Sequence, residues 1–394
     1  MKYRRYGRTE LKMPVITCGG MRFQQSWSDV PWEEIKGGGQ ANLEAAIRYS
    51  LEVGANHIET ARGYGTSEMQ LGQVLPKFDR DALIVQTKVA PEADPKAFLE
   101  NFEKSMAYLK LDYVDLFSIH GINNQELLDF TLRDGGCMEV ALRLKEQGRV
   151  RHIGYSTHAS EKVITAANAS NAFDYCNVHW YFVNELNWGA IEVAAKNDMG
   201  VFIISPNDKG GKLYAPPPKL VELCGDLHPM QWNALFCLAR PEVHTLSMGV
   251  SCPQDFDTHL EMLDHYDTAY ETMAPVEAKL RAEVARVHGE DWRDGWWKGL
   301  PEWDELPSGI NVKEILRLWT YAKALDLVEW GKMRYNLLGN AGHWFPGHKV
   351  SEYDKGEMAE KLAGSAFADR IPGILAEAHA LFDDKEVKRL SQSE

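Results

Sequence analysis

The chain has 394 residues, 44% of them hydrophobic and 25% charged, which suits one large globular core with an appendage. Its formal net charge of −14 at pH 7 disfavours nucleic acid and anionic membrane as partners. Met1–Tyr6 leads into no apolar run, no membrane-length apolar stretch follows, and the six cysteines form no CxxC pair, so a cytoplasmic protein without disulfide framework or zinc knuckle is expected.

In chain order, Tyr3 to Val15 reads as a short hairpin around Gly7-Arg8-Thr9, placed to plug the floor of a barrel. From Val15 onward, short β-branched runs alternate with helical patterns. The predicted strands are 15–20, 57–60, 83–88, 113–120, 150–156, 175–181, 200–206 and 244–250. The predicted helices are 40–53, 67–76, 96–109, 138–147, 160–169, 187–198, 229–239 and 253–264, with Ser67, Asp94 and Ser160 as capping residues. Eight such units favour a closed (β/α)8 TIM barrel of the α/β class over a doubly wound sheet. The first strand ends in Cys18-Gly19-Gly20-Met21, without the GxGxxG turn that a doubly wound dinucleotide fold places there. Composition then shifts. Seven of the twelve tryptophans fall between Trp292 and Trp344, and 312–338 and 355–383 carry helical spacing. The expected division is a barrel over 1–270 and a helical C-terminal extension over 271–394.

In a barrel of this kind, reactive side chains stand at the C-terminal strand ends. Glu59 and Tyr64 follow the second strand, Lys88 ends the third and His120 ends the fourth. Alone, each is an ordinary packing or solvated residue. Together they form a device for carbonyl chemistry: charge developing on oxygen needs a proton donor, and a tyrosine beside an ammonium is a better acid. In this reading Tyr64 is the general acid/base, Lys88 acidifies it, Glu59 aims Lys88 and His120 orients the carbonyl.

The stretches YRRYGRTELKMPV, HIETARGYGTSE, VQTK, LDYVDLFSIH and KEQGRVRHIGYSTH resemble the aldo-keto reductase superfamily. Its Tyr, Lys and His fall on Tyr64, Lys88 and His120, while Glu59 stands where the family has Asp. The resemblance implies an NAD(P)-dependent oxidoreductase that interconverts a carbonyl and an alcohol. It places the nicotinamide carboxamide near Ser156 and Asn177, and the pyrophosphate under a loop containing Ser205, Lys209, Gly210 and Gly211. The adenosine phosphate falls near Gly249, Ser251, Asp255 and His259. Asp255, where relatives carry Arg or Gln, suits a ribose hydroxyl better than a 2′-phosphate and so favours NAD over NADP, unless it is only a solvated helix residue. Met21, Arg22, Arg62, His158 and Trp180 stand near the mouth, either lining a pocket for a polyhydroxy or anionic substrate or simply packing. Glu68 reads as a helix-start acid.

The segments at 306–311 and 332–347 and the helix ending AEAHALF resemble a branch with a ferredoxin-like extension. No cysteine follows Cys252, so the thiolates that hold cluster iron are missing and no metal or iron–sulfur cluster is expected. Two other functions fit the same residues. One is a redox-neutral epimerase or lyase with tightly bound nicotinamide nucleotide; the other is a nucleotide-binding regulatory barrel. Substrate, direction and oligomeric state are not specified by the sequence.

Overall fold

The computed structural model describes residues 1–306, 308–385 and 387. Pro307 of the 306–311 motif and the end of the expected extension lie outside the described residues. The hairpin forms as antiparallel strands β1 (Tyr3–Arg5) and β2 (Lys12–Pro14). It does plug the barrel floor: Tyr6 and Met13 are fully buried against Leu116, Tyr175 and Phe202. Gly7, at φ 54°, lies so close to the Asp198 carbonyl that a Cβ would stand 2.5 Å from it.

Eight parallel strands close the barrel: β3 (Ile16–Gly19), β4 (His57–Glu59), β5 (Ile84–Val89), β6 (Val114–His120), β7 (Val150–Ser156), β8 (Tyr175–Val178), β9 (Gly200–Ile203) and β10 (Thr245–Gly249). All eight expected strands are present. Two end three residues earlier than expected, β8 at Val178 and β9 at Ile203; just beyond β9, Ser205 adopts a left-handed φ of 54° that no strand accommodates.

The helices through β10 are α1 (Gly37–Glu52), α2 (Ser67–Leu71), α3 (Pro95–Leu109), α4 (Gln125–Leu132), α5 (Cys137–Glu146), α6 (Glu161–Ala169), α7 (Trp188–Lys196), α8 (Pro218–Cys224) and α9 (Pro229–Leu238). Asp94 caps α3 as expected, accepting from Lys96 N at 3.0 Å. Ser67 does not cap α2. It is the first helical residue, and its hydroxyl donates to the Gly20 carbonyl at 2.9 Å, tying the helix to the loop after β3. Ser160 precedes α6 without a side-chain capping bond. The helix expected over 253–264 is a 3-10 turn, the short α10 (Asp257–Glu261) and a second 3-10 stretch.

Strand alternation points every second side chain inward and creates layers. One inner layer is a neutral hydrogen-bonded chain. Thr245 and Thr17 hydroxyls are 2.8 Å apart, and Thr17 meets His57 Nδ1 at 2.7 Å. His57 Nε2 meets Gln86 Oε1 at 3.0 Å, Gln86 donates to Ser118 at 2.8 Å, and Ser118 meets the Tyr175 hydroxyl at 2.9 Å. Because Oε1 of Gln86 only accepts, His57 carries its proton on Nε2. Burial holds the His57 imidazole at about 3, so it is neutral.

The chain divides into two compact units. The barrel unit holds residues 1–207 and 233–269; the second holds 208–232 together with residues from Tyr270 onward. The second unit contains α8, most of α11 (Ala269–His288), α12 (Glu290–Arg293), α13 (Val312–Leu325), α14 (Val328–Tyr335), α15 (Lys355–Leu362) and α16 (Ile371–Phe382). Three tryptophans of this unit are bound through their ring N–H groups as well as buried. Trp292 donates to Thr320 Oγ1 at 2.9 Å, Trp330 to the Lys209 carbonyl at 3.2 Å and Trp232 to the Met273 carbonyl at 3.1 Å. Among the described residues no helix is long and apolar enough to cross a membrane, and no group of three or more His, Cys, Asp or Glu could hold a metal ion.

Candidate active site

Strand register assembles the site. His120 on β6 lies beside Ser156 on β7, which lies beside Asn177 on β8. Lys88 pairs with Ser118 and Glu59 with Gln86, so the inward row climbs as the strands tilt. Glu59, Lys88, His120, Ser156 and Asn177 are all buried.

At the centre Lys88 and Glu59 are in ion-pair contact. Lys88 Nζ also donates to the Thr60 carbonyl at 2.8 Å and to the Tyr64 hydroxyl at 3.2 Å. The Tyr64 hydroxyl in turn donates to Glu59 Oε1 at 3.3 Å. One oxygen of the Glu59 carboxylate therefore touches both lysine and tyrosine. Burial pushes the Lys88 ammonium well below the usual lysine range. The His120 ring stands edge-on to Tyr64, centroids 5.7 Å apart at 86°.

Beyond this centre the expected residues separate. Ser156 Oγ accepts from Gly121 N at 3.1 Å. Asn177 is fully buried, with neither amide atom hydrogen-bonded. His158 packs edge-on against His179, centroids 4.5 Å apart. His179 was not singled out from sequence; its place two residues after Asn177, just past the end of β8, was the available signal. Met21 is half-buried in a 3-10 turn, and Arg22 is exposed with its side chain over Gly249.

Other residues are taken up by contacts within the protein. The Arg62 guanidinium follows the packing alternative: it donates to Glu68 at 2.7 Å, pairs with Asp29 and lies over the Tyr108 ring at 4.8 Å. Trp180 is 2% exposed and stacks on Phe236, centroids 5.0 Å apart, so it is core rather than lining. The Asp255 carboxylate turns back to accept from Ser251 N at 2.6 Å and Cys252 N at 3.2 Å, capping its own turn rather than projecting outward. His259 is buried, with Nε2 3.4 Å from Asn207 Nδ2. Ser205 lies in the barrel unit's first segment, which ends at Asn207, whereas Lys209, Gly210 and Gly211 belong to the second unit. Glu68 stands in the first turn of α2, as expected of a helix-start acid, and is fully buried there, accepting from Arg62 and Thr87.

Residues 15–213 match the model of the Aldo/keto reductase family. An aldo-keto reductase of Mycobacterium sp. (strain JLS) is 34% identical over 124 residues, covering 30% of this chain and 42% of that protein. The chain therefore spans less than half the length of that curated relative. An uncharacterized oxidoreductase of Bacillus subtilis (strain 168) is 21% identical over 275 residues, covering 61% of this chain and 88% of its own. Among solved structures, an aldo-keto reductase from Bacillus halodurans in its holo form superposes with a TM-score of 0.59 at 19% identity, covering 71% of this chain and 96% of that one. That likeness is one of fold. With a family match over half of its length and the closed eight-stranded barrel, the chain belongs to the aldo/keto reductase family.

Proposed function

We propose that the protein is a nicotinamide-dependent oxidoreductase interconverting a small carbonyl compound and its alcohol. The observation that carries this is the Tyr64 hydroxyl held between Lys88 Nζ at 3.2 Å and Glu59 Oε1 at 3.3 Å. In the reducing direction the Tyr64 O–H bond breaks as its proton passes to the carbonyl oxygen, forming the alcohol O–H. The phenolate left behind is stabilised by the Lys88 ammonium. Glu59 keeps Lys88 charged in its buried setting, and its reach to Tyr64 gives the phenol a second partner for its proton. His120, edge-on to Tyr64, orients the carbonyl oxygen.

The residues fit the cofactor. Asn177 carries a buried amide with donor and acceptor both unmatched, which costs on the order of 1–3 kcal/mol per group. A nicotinamide carboxamide matches both, and Ser156 in register beside Asn177 adds a hydroxyl. When bound, the nicotinamide supplies or accepts the hydride. NAD is the preferred form, for a reason different from the one expected: Asp255 already occupies the Ser251 and Cys252 N–H groups, so a second anion there meets a carboxylate instead of open donors.

The test is Tyr64→Phe, which removes one hydroxyl. Reduction of a panel of aldehydes and ketones should fall by about 10²-fold or more while fluorescence titration shows NADH binding retained and tighter than NADPH. Undiminished turnover would remove Tyr64 from its role, and tighter NADPH binding would reverse the coenzyme assignment.

A further inference from the structure

One fully buried carboxylate has no place in the chemistry above. Glu68 lies in α2, and its side chain is reached from two directions. Thr87 Oγ1, on the residue before Lys88, donates to Glu68 Oε1 at 2.5 Å. Arg62 Nη1, two residues before Tyr64, donates to Glu68 Oε2 at 2.7 Å. Arg62 then closes the bracket. Its backbone N–H donates to the Lys88 carbonyl at 2.9 Å, and Nη2 reaches the Gly65 carbonyl at 3.3 Å, on the other side of Tyr64.

The turn has little room to move. Tyr64 N donates to the Ala61 carbonyl at 3.0 Å, and Ser67 N to the Tyr64 carbonyl at 3.1 Å. Gly65, at φ 54°, is so close to the loop after β3 that a Cβ would meet the Ser26 carbonyl at 1.9 Å. Asp29, from that same loop, pairs with Arg62. A single arginine thus joins the Tyr64 turn, helix α2 and the loop after β3 through its guanidinium, and strand β5 through its backbone N–H.

Stability alone is a poor reason for such an arrangement. Desolvating two charges offsets most of their attraction, and apolar replacements of buried pairs are often neutral or stabilising. Position is a better reason. A proton donor must be held within a fraction of an ångström of its working place, because a displacement of about 1 Å costs on the order of 10²-fold in rate.

We propose that Glu68 and Arg62 are positioning residues, a buried ion pair that locks the Tyr64 turn to the Lys88 strand and so fixes the distance between phenol and ammonium. The proposal rests on the roles given above to Tyr64 and Lys88. Neither Glu68 nor Arg62 touches the reacting atoms.

The experiment uses the full-length chain with NADH and a nitrobenzaldehyde as probe. Glu68→Gln keeps the shape and removes the charge; kcat should fall about 10–100-fold while KM and NADH affinity stay within about threefold. The decisive measurement is the cycle with Tyr64→Phe. If Glu68 acts through Tyr64, Glu68→Gln adds almost nothing in the Tyr64→Phe background; a full multiplicative loss there overturns the proposal. Thr87→Val removes one hydroxyl without removing a charge, and serves if Glu68→Gln fails to fold. It should reproduce a smaller loss with the same non-additivity, and an additive loss again overturns the proposal. If the wild-type chain reduces no carbonyl, the functional reading fails, and positioning is decided by nuclear magnetic resonance of ring-labelled tyrosine. The Tyr64 signal, identified by its disappearance in Tyr64→Phe, should move in Glu68→Gln or Thr87→Val and not in the exposed control Glu52→Gln. An unmoved signal refutes the positioning role.

Discussion

Two inward layers of the same barrel solve burial in opposite ways. The layer of Thr245, Thr17, His57, Gln86, Ser118 and Tyr175 is neutral, with each side chain hydrogen-bonded to the next. The layer at the strand ends holds the Lys88–Glu59 ion pair and an Asn177 amide with no hydrogen-bond partner. Both are out of water. The difference shows that burial does not dictate chemistry: the neutral layer is hydrogen-bonded throughout, whereas the charged layer leaves both polar atoms of the Asn177 side chain without a hydrogen-bond partner. Stability should therefore respond to the first layer and turnover to the second.

The largest expected effect tests the neutral layer. Gln86→Leu removes the partner of both His57 and Ser118, and should cost about 2–4 kcal/mol of unfolding free energy by urea titration. Carbonyl reduction at a temperature where the variant stays folded should change by less than about threefold. A collapse of activity without loss of stability would break the division between layers.

Acid should expose the same layer. The folded His57 titrates at about 3, far below the ordinary 6.5, so the unfolded chain takes up the proton first. The stability this histidine contributes is complete above pH 6.5 and is lost as pH falls towards 3. At pH 5 the loss should be about 2 kcal/mol. His244, held at about 4 by burial, acts in the same direction. Urea unfolding of wild type and His57→Gln at pH 7 and pH 5 separates the contribution of His57; equal slopes would show that this group does not carry it.

The smallest effect belongs to the charged layer. Glu59→Asp keeps the carboxylate, and the pair with Lys88 can re-form, so turnover should stay within about tenfold and stability within about 1 kcal/mol. A loss beyond about 10²-fold would mean that the reach of Glu59 to the Tyr64 hydroxyl has a proton-transfer role of its own.

The barrel was legible in the sequence because its signal is local: β-branched runs at regular intervals gave all eight strands, and reading their ends gave Glu59, Tyr64, Lys88 and His120. What stayed hidden depended on partners. The start of helix α1 at Gly37 rather than at 40 was hidden, because Gly37, Gly38 and Gly39 argue against a helix that the fold nevertheless starts there. Helix α4 was missed although Asn124 caps it, accepting from Leu127 N at 2.9 Å. The first stretch of α11 carries Pro275, and its apolar stripe is weak. Arg62 and Asp255 were read as free charges, since nothing in their neighbourhood announces that Glu68 and two backbone N–H groups take them up. Side-chain identity shows which charges exist; only the fold shows which are already paired.

The division of residues between the two units has a consequence for how the chain is made. Residues 208–232 leave after β9 and belong to the second unit, and the chain then returns to supply β10, the last strand of the barrel. On the ribosome, every strand of the barrel is therefore available well before the helices that complete the second unit. During that interval 208–232 is synthesised without its companions, and buried residues such as Leu220 and Trp232 await surfaces still unmade. A chain truncated near residue 270 would keep this segment permanently orphaned, so the natural cut between the units is a double one, at 208–232 as well as at 270.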